Sequence, residues 1–205
     1  MNCITANCVI SGHAVRKNGK IVFENKNIDL PGFLLSAYHY FELNYSRFHK
    51  MDRLSKLGWL TAEILLKDGS GRENYEPTET GVVLTNANSS LDTDLKYFES
   101  AKYIPSPSLF VYTLPNIMIG EICIRNNFKG EDAFFIAEEF DAGFLEQYVN
   151  DLMDNGILQV CICGWVDVLG EEYKAALFLV EKKQEGSFDS FTKENIDKIF
   201  LAENG

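Results

Sequence analysis

The strongest constraint on this chain is the order in which its apolar segments change period. Short runs rich in β-branched residues alternate with longer stretches whose apolar positions return at helical spacing. Cys3–Ile10 is an apolar run closed by Ser11-Gly12 and reads as a strand. Asn18-Gly19 marks a turn, and Ile21–Phe23 makes a short second extended piece. Pro31-Gly32 opens a long helical region. Across Met51–Lys67, Leu54, Leu57, Ile64 and Leu65 recur with helical spacing until Asp68, Gly69 and Gly71 end the pattern. Gly69–Thr80 is polar, carries Pro77 and reads as a loop before the strand Gly81–Thr85. Ser89 with Asp92 fits a capping box, opening a helix from about Ser90 to Ala101. A proline-marked loop leads to a helix over Asn116–Asn127, and Lys129-Gly130 is a turn. Ala133–Ala137 is a buried strand, Asp141–Asn155 a helix stopped by Asn155-Gly156, and Leu158–Val166 and Lys174–Lys182 are strands. Thr192–Ala202 is a closing amphipathic helix. Counting each helical region once, the order is β, α, β, α, β, α, β, β. It predicts an α/β fold: a five-stranded, mixed but mostly parallel sheet with helices on both faces. The final pair, joined near Leu169-Gly170, is expected to add an antiparallel edge.

At 205 residues with 46% hydrophobic content, one domain over 1–205 buries enough core to fold without a disulfide or metal staple. Fifteen Phe, nine Tyr and two Trp argue against disorder. Thirty acids against nineteen bases give a net charge of −11, which disfavours nucleic acid, whose binding needs Lys and Arg to displace counterions. The N-terminus, MNCITANCVI, has no basic residue ahead of its apolar stretch and interrupts it with Asn2, Thr5 and Asn7, unlike a signal peptide. The uncharged run Tyr103–Gly120 is broken by Pro105, Pro107 and Pro115, so no membrane span is expected. Five cysteines (Cys3, Cys8, Cys123, Cys161, Cys163) in apolar surroundings suggest free thiols in a reducing cytoplasm. Walker loop, Gly-rich dinucleotide fingerprint and spaced metal-ligand set are all lacking, so no cofactor and no metal are expected.

Several stretches resemble the β-ketoacyl synthases, condensing enzymes of the thiolase-like fold. Met51-Asp52-Arg53-Leu54-Ser55-Lys56-Leu57 resembles their "rMdrlsklg" helix, and Thr80–Thr85 their "tGvvlgt" strand, followed by Ser89-Ser90-Leu91. Pro107–Gly130 (PSLFVYTLPNIMIGEICIRNNFKG) resembles "P..F..tlpN...geiai.f.ikGp" and is the most specific match. Asn155-Gly156 with Cys161–Asp167 is similar to "sG.advvl.Ggvd". The matches run in order from Cys3 to Lys182, nearly the whole chain, and their order and spacing make the set specific. The resemblance implies the N-terminal half of a thiolase-like protein. A complete condensing enzyme is about twice as long and packs two such halves together.

Condensing enzymes acylate a cysteine at the N-terminus of a buried helix, where the dipole and free N–H groups favour thiolate. By the resemblance, that slot follows Ala133–Ala137 and opens the Asp141–Asn155 helix. Glu139 matches it best and Phe140 next, so no nucleophilic cysteine is expected. The family's two catalytic histidines belong to the other half; His13, His39 and His49 match neither. Ser11-Gly12-His13 holds a nucleophile and a base but reads as a strand-end turn. Glu138 and Glu139 are the candidates for a rebuilt acid/base site. Cys161 and Cys163, two apart on a strand, read as small buried hydrophobes.

Two charge features bear on partners. Glu131–Asn155 holds eight acids (Glu131, Asp132, Glu138, Glu139, Asp141, Glu146, Asp151, Asp154) and no Lys or Arg. Such a helix is either exposed or covered by a basic partner. Arg47, Lys50, Arg53 and Lys56 gather within ten residues and form the candidate docking site for an acidic acyl carrier protein. Family dimers pair the strand equivalent to Ala133, Phe134, Phe135, Ile136 and Ala137 across a two-fold axis, so a homodimer, or a heterodimer with a full-length ketosynthase, is implied. The expected function is a non-catalytic ketosynthase-like subunit of fatty acid or polyketide-type biosynthesis. The alternatives are an acyltransferase or hydrolase rebuilt around Glu138/Glu139, and a homodimeric acyl-binding or scaffold protein.

Overall fold

The five strands expected from the sequence lie side by side in a larger sheet. The computed structural model describes residues 1–67, 75–183 and 188–202, and the chain end expected for the Met51–Lys67 helix at Asp68–Gly71, with most of the following loop, lies outside the described residues. The strands are β1 (Asn2–Ser11), β2 (Ala14–Lys17), β3 (Lys20–Glu24), β4 (Thr80–Asn86), β5 (Asp132–Ile136), β6 (Val160–Leu169), β7 (Glu172–Lys182) and β8 (Asp189–Ser190). The helices are α1 (Leu30–Tyr40), α2 (Arg53–Leu66), α3 (Leu91–Ala101), α4 (Pro107–Val111), α5 (Ile117–Asn126), α6 (Ala142–Asp154) and α7 (Lys193–Leu201). Sheet order is β3-β2-β1-β7-β6-β4-β5, with β8 set against the start of β1. β4 runs parallel to both β5 and β6, whereas β7 is antiparallel to both β6 and β1. Thus β1, β4, β5 and β6 share a direction and β7 opposes them.

Two strands differ from expectation: β7 is not an edge but lies between β6 and β1, and β5, expected to be buried, is an edge strand whose residues are half-buried or exposed. The β7 run Ala175–Val180 is buried throughout, which only a strand covered on both faces sustains. The edges are β3 and β5. The hairpin β2–β3, too short for a clear periodic signal, is pinned by Asn18 and Gly19, both at positive φ, and by Asn18 Oδ1 accepting from the Asn7 N–H at 2.8 Å.

β1, β4, β5, β6 and β7 send alternate side chains to two cores. On one face Val82, Leu84, Ile162, Val166 and Leu177 pack beneath α1, α2 and α5. On the other, Val83, Cys161, Cys163, Phe178 and Val180 meet Leu145, Val149 and Met153 of α6 and Ile196 of α7. α2 is buried on nearly every side, with Trp59, Leu60 and Leu65 fully enclosed, each contributing roughly 2 kcal/mol of apolar burial. The long helical region after Pro31 is two helices, capped by Asp29 and Asp52 and separated by a 3-10 turn over Ser46–Lys50. The capping box expected at Ser89 does not form. Asn86 instead holds Ser89 through both backbone groups at 2.9 Å, and Asp92 is drawn away to Arg53. The proline-marked loop contains the short α4, with Ser106 as its cap.

Gly164 in β6 sits at φ +147°, and a Cβ there would lie 2.0 Å from the Ala176 carbonyl oxygen of β7. No rotamer change relieves a clash with backbone. Gly164→Ala is expected to cost about 3 kcal/mol or more, the upper range for point substitutions, as a lower urea midpoint; a wild-type midpoint would refute this view of the β6–β7 contact.

Candidate functional site

The start of α6 is set by Asp141, whose Oδ1 accepts the Phe144 N–H at 2.9 Å and satisfies a free helix donor. The residues just before it diverge. Glu138 and Glu139, the best match to the family slot and its neighbour, are exposed. Phe140 turns inward, stacked on Phe200 of α7 with ring centroids 3.8 Å apart and edge-on to Trp165 of β6 at 6.1 Å. Lys174 donates to the Phe200 carbonyl at 2.8 Å and sits over its ring, holding the end of α7 in place. An open hollow of about 440 Å³ follows the loop, lined by Glu138, Glu139, Asp141 and Asp197 with Lys193 as the one base. What this hollow offers is water-facing carboxylates.

α6 presents its acids outward, with Asp151 and Asp154 exposed, so the acidic helix is solvated rather than buried. Its buried stripe is Ala142, Leu145, Val149, Leu152 and Met153. Glu146 reaches across to accept the Lys193 N–H at 2.9 Å, joining α6 to the start of α7.

β5 is fixed by parallel pairing to β4, from Val82 opposite Asp132 to Asn86 opposite Ile136. Phe134 packs on the α2 side, and Phe135 meets Phe144 and Tyr148 of α6 at about 5 Å. Ala133 and Ala137 are half-buried and Ile136 is 61% exposed. The faces of β5 are thus covered in part, and among the described residues its outer backbone edge pairs with no other strand.

The basic segment is not a single exposed cluster. Arg47 pairs with buried Glu121 at 2.8 Å, and Glu121 also accepts from the Tyr45 hydroxyl. Arg53 grips buried Asp92 through two hydrogen bonds. Asp92 further accepts from Lys96 at 2.8 Å and from the Gly170 N–H at 3.2 Å, tying α2, α3 and the β6–β7 turn together. Lys50 is exposed and Lys56 half-buried. Burial alone would raise the Asp92 pKa, but the bonds from Arg53 and Lys96 outweigh it and hold the carboxyl below its ordinary value. The pairs made by Arg47 and Arg53 join residues 39 and more positions apart, so spacing in the sequence carried no sign of them, whereas Lys96 and Asp92 stand at i,i+4 on α3.

No family model matches this chain, and no curated protein matches it. Solved structures do. One is the ishigamide ketosynthase/chain length factor, with TM-score 0.66 and 19% identity over 91% of this chain and 63% of that one. A second is AntDE:AntF, a type II polyketide synthase acyl-carrier protein in complex with its ketosynthase bound to the hexaketide, with TM-score 0.61, 15% identity and coverage of 89% and 62%. The fold is ketosynthase-like. A third structure, the ketosynthase ApeO in complex with its chain length factor ApeC from Xenorhabdus doucetiae, matches at TM-score 0.58 and 10% identity over 97% of this chain and 90% of that one. The chain therefore spans about three fifths of the first two neighbours and most of the third.

Within this ketosynthase-like frame, Cys161 and Cys163 are buried on β6 beneath α6, and neither stands in the loop that opens that helix. Burial pushes Cys8 up to about 12, Cys123 likewise to about 12, and Cys163 well above the ordinary thiol range, the last reinforced by Cys161. Such thiols stay protonated and poorly nucleophilic. His13 lies between the rings of Phe33 and Tyr173, while His39 and His49 are exposed beside Tyr38. Among the described residues, no three His, Cys, Asp or Glu side chains group as metal ligands, and no helix is long and apolar enough to cross a membrane.

Two outcomes test these assignments. Cys8, Cys161 and Cys163 should resist an aromatic disulfide reagent at neutral pH until denaturant is added; rapid labelling of the folded chain would contradict their burial. Asp92→Asn should destabilise by roughly 3 kcal/mol, since it removes the buried counter-charge of Arg53 and leaves it only the exposed Glu171 at 3.5 Å. Because the folded-state pKa of Asp92 is depressed, its contribution is present above the unfolded-state value and lost as pH falls through the folded one. The gap in urea stability between wild type and variant should therefore narrow in acid.

Proposed function

We propose that this chain is a non-catalytic ketosynthase-like subunit that pairs with a ketosynthase and helps to shape its acyl pocket. The observation that carries the reading is the start of α6. Where the resemblance places an acylated cysteine, the chain has exposed Glu138 and Glu139 and then Phe140, packed under Phe200. A carboxylate facing water there forms no thioester with a carrier-bound substrate, and an inward phenyl ring has no nucleophile to offer. Two of the similar structures are described as pairing a ketosynthase with a chain length factor, and in one of them the matching chain is spanned almost completely. That makes a partner of this size consistent with the architecture.

Pairing through β5 is the specific form of the proposal. The Ala137 N–H points to Asn86 on β4, so by the alternation of a parallel strand the N–H groups of Phe134 and Ile136 point outward from the sheet. An unpaired edge of this kind is a template for a second strand. An acidic carrier protein docking on the same subunit would rely chiefly on Lys50, because Arg47 and Arg53 are held by Glu121 and Asp92.

A rebuilt acyltransferase or hydrolase would have to use the hollow beside Glu138 and Glu139. Incubation with acyl and malonyl carrier protein separates the readings: intact mass should show no thioester- or ester-linked acyl adduct on this chain, and such an adduct would overturn the non-catalytic role. Ile136→Pro removes an outward N–H while sparing the bonds to β4. It should abolish co-purification with a co-expressed ketosynthase while leaving the circular dichroism spectrum unchanged. Retained co-purification would rule out β5 as the pairing edge.

A further inference from the structure

Lys56 differs from the rest of its basic segment. Arg47 and Arg53 are ion-paired and Lys50 is exposed, but Lys56 is half-buried and takes part in no ion pair among the described residues. Its ammonium lies 5.9 Å from the centroid of the Phe48 ring. Beside it is a hollow of about 250 Å³ walled by Pro31, Gly32, Leu35, Phe48 and His49. The wall is mostly apolar, and Leu35, at 40% exposure, stands at the solvent side.

Burial, more than the neighbouring charges, disfavours the ammonium form of this amine. Lys56 lies in the first turn of α2, and the first turn of α1 supplies Pro31 and Gly32, so two positive helix ends face the hollow. Asp29 and Asp52, which cap those helices, oppose that effect, His49 is part of the wall, and Lys96 of α3 repels. Burial is the largest influence and the balance lowers the lysine pKa below its ordinary value. A larger share of Lys56 is therefore free amine near neutral pH than of an exposed lysine.

We propose that Lys56 is a site of N-acylation by small acyl thioesters, with the neighbouring hollow receiving the acyl chain. The amine lone pair attacks the thioester carbonyl carbon and a C–N bond forms. The C–S bond breaks, its electron pair leaves on sulfur, and the proton lost from nitrogen goes to that thiolate. The products are an amide on Lys56 and a free thiol, with no oxidant or further reactant needed. The inference goes beyond the subunit role and does not depend on it, because the amide forms on this chain alone. It is also distinct from the oxygen- or sulfur-linked adducts that would mark a condensing or hydrolytic site.

The test uses the full chain with the acetyl and hexanoyl thioesters of N-acetylcysteamine, read by peptide mass mapping. Near neutral pH, Lys56 should acylate several-fold faster than Lys50, and the lead should shrink in strong alkali as exposed lysines also lose their protons. Hexanoyl should outpace acetyl at Lys56 but not at Lys50, and Leu35→Asp should remove that preference at Lys56. Equal rates at Lys56 and Lys50 near neutrality, or the same chain-length response at both, would overturn the proposal. Both comparisons are made within the wild-type chain, so neither requires a variant to fold.

Discussion

A sheet that is apolar on both sides exists in water only if both faces are covered, and much else in this molecule follows from that requirement. Ile162 and Val166 of β6 face one way while Cys161 and Cys163 face the other, and all four are fully buried. α2 covers the first face with help from α1 and α5. The second face is covered by α6 and α7 together. Phe191 and Ile196 are 2% and 0% exposed there, and Phe200 closes over Phe140. At the α6 start, Phe140 is thus covered by α7, which Glu146 and Lys174 hold at its two ends, while Glu138 and Glu139 face water.

The same economy governs charge. The chain carries eleven more acids than bases, yet its buried carboxylates are matched to cations: Asp92 to Arg53, Glu121 to Arg47, Glu63 to Arg125 and Glu181 to Lys183. Burying a carboxylate without such a partner would cost several kcal/mol. Two members of the basic segment are therefore better understood as structural counter-charges than as a steering surface. The surplus acids lie outside, many along α6, where solvation makes them inexpensive.

How much of this could be read from the residues varies with the physics involved. The α/β order and the five main strands were legible because periodicity and turn residues act locally, as at Gly81–Thr85 and Asn18-Gly19. The central place of β7 was signalled by the unbroken run AALFLV, but its neighbour β1 lies more than 160 positions away, and local pattern does not name such a partner. Ser89 and Asp92 had the spacing of a capping box; the bidentate bond from Arg53 is stronger and took Asp92 for itself. At the α6 start, the resemblance implied Glu139, or next Phe140, at the nucleophile slot. That Phe140 turns inward while its neighbours face water depends on Phe200, sixty residues on.

The position of β1 has a consequence for synthesis. β1 is made before the other strands of the sheet, yet its long pairing is with β7 at residues 172–182, and β8 adds to its start. Until most of the chain has been produced, β1 has only the β2–β3 hairpin beside it, and its apolar residues lack half their sheet. Closing so large a loop is slow, and the waiting strand is exposed to mispairing in the meantime. Docking β1 on the β6–β7 hairpin therefore has to wait until the chain has been made as far as Lys182.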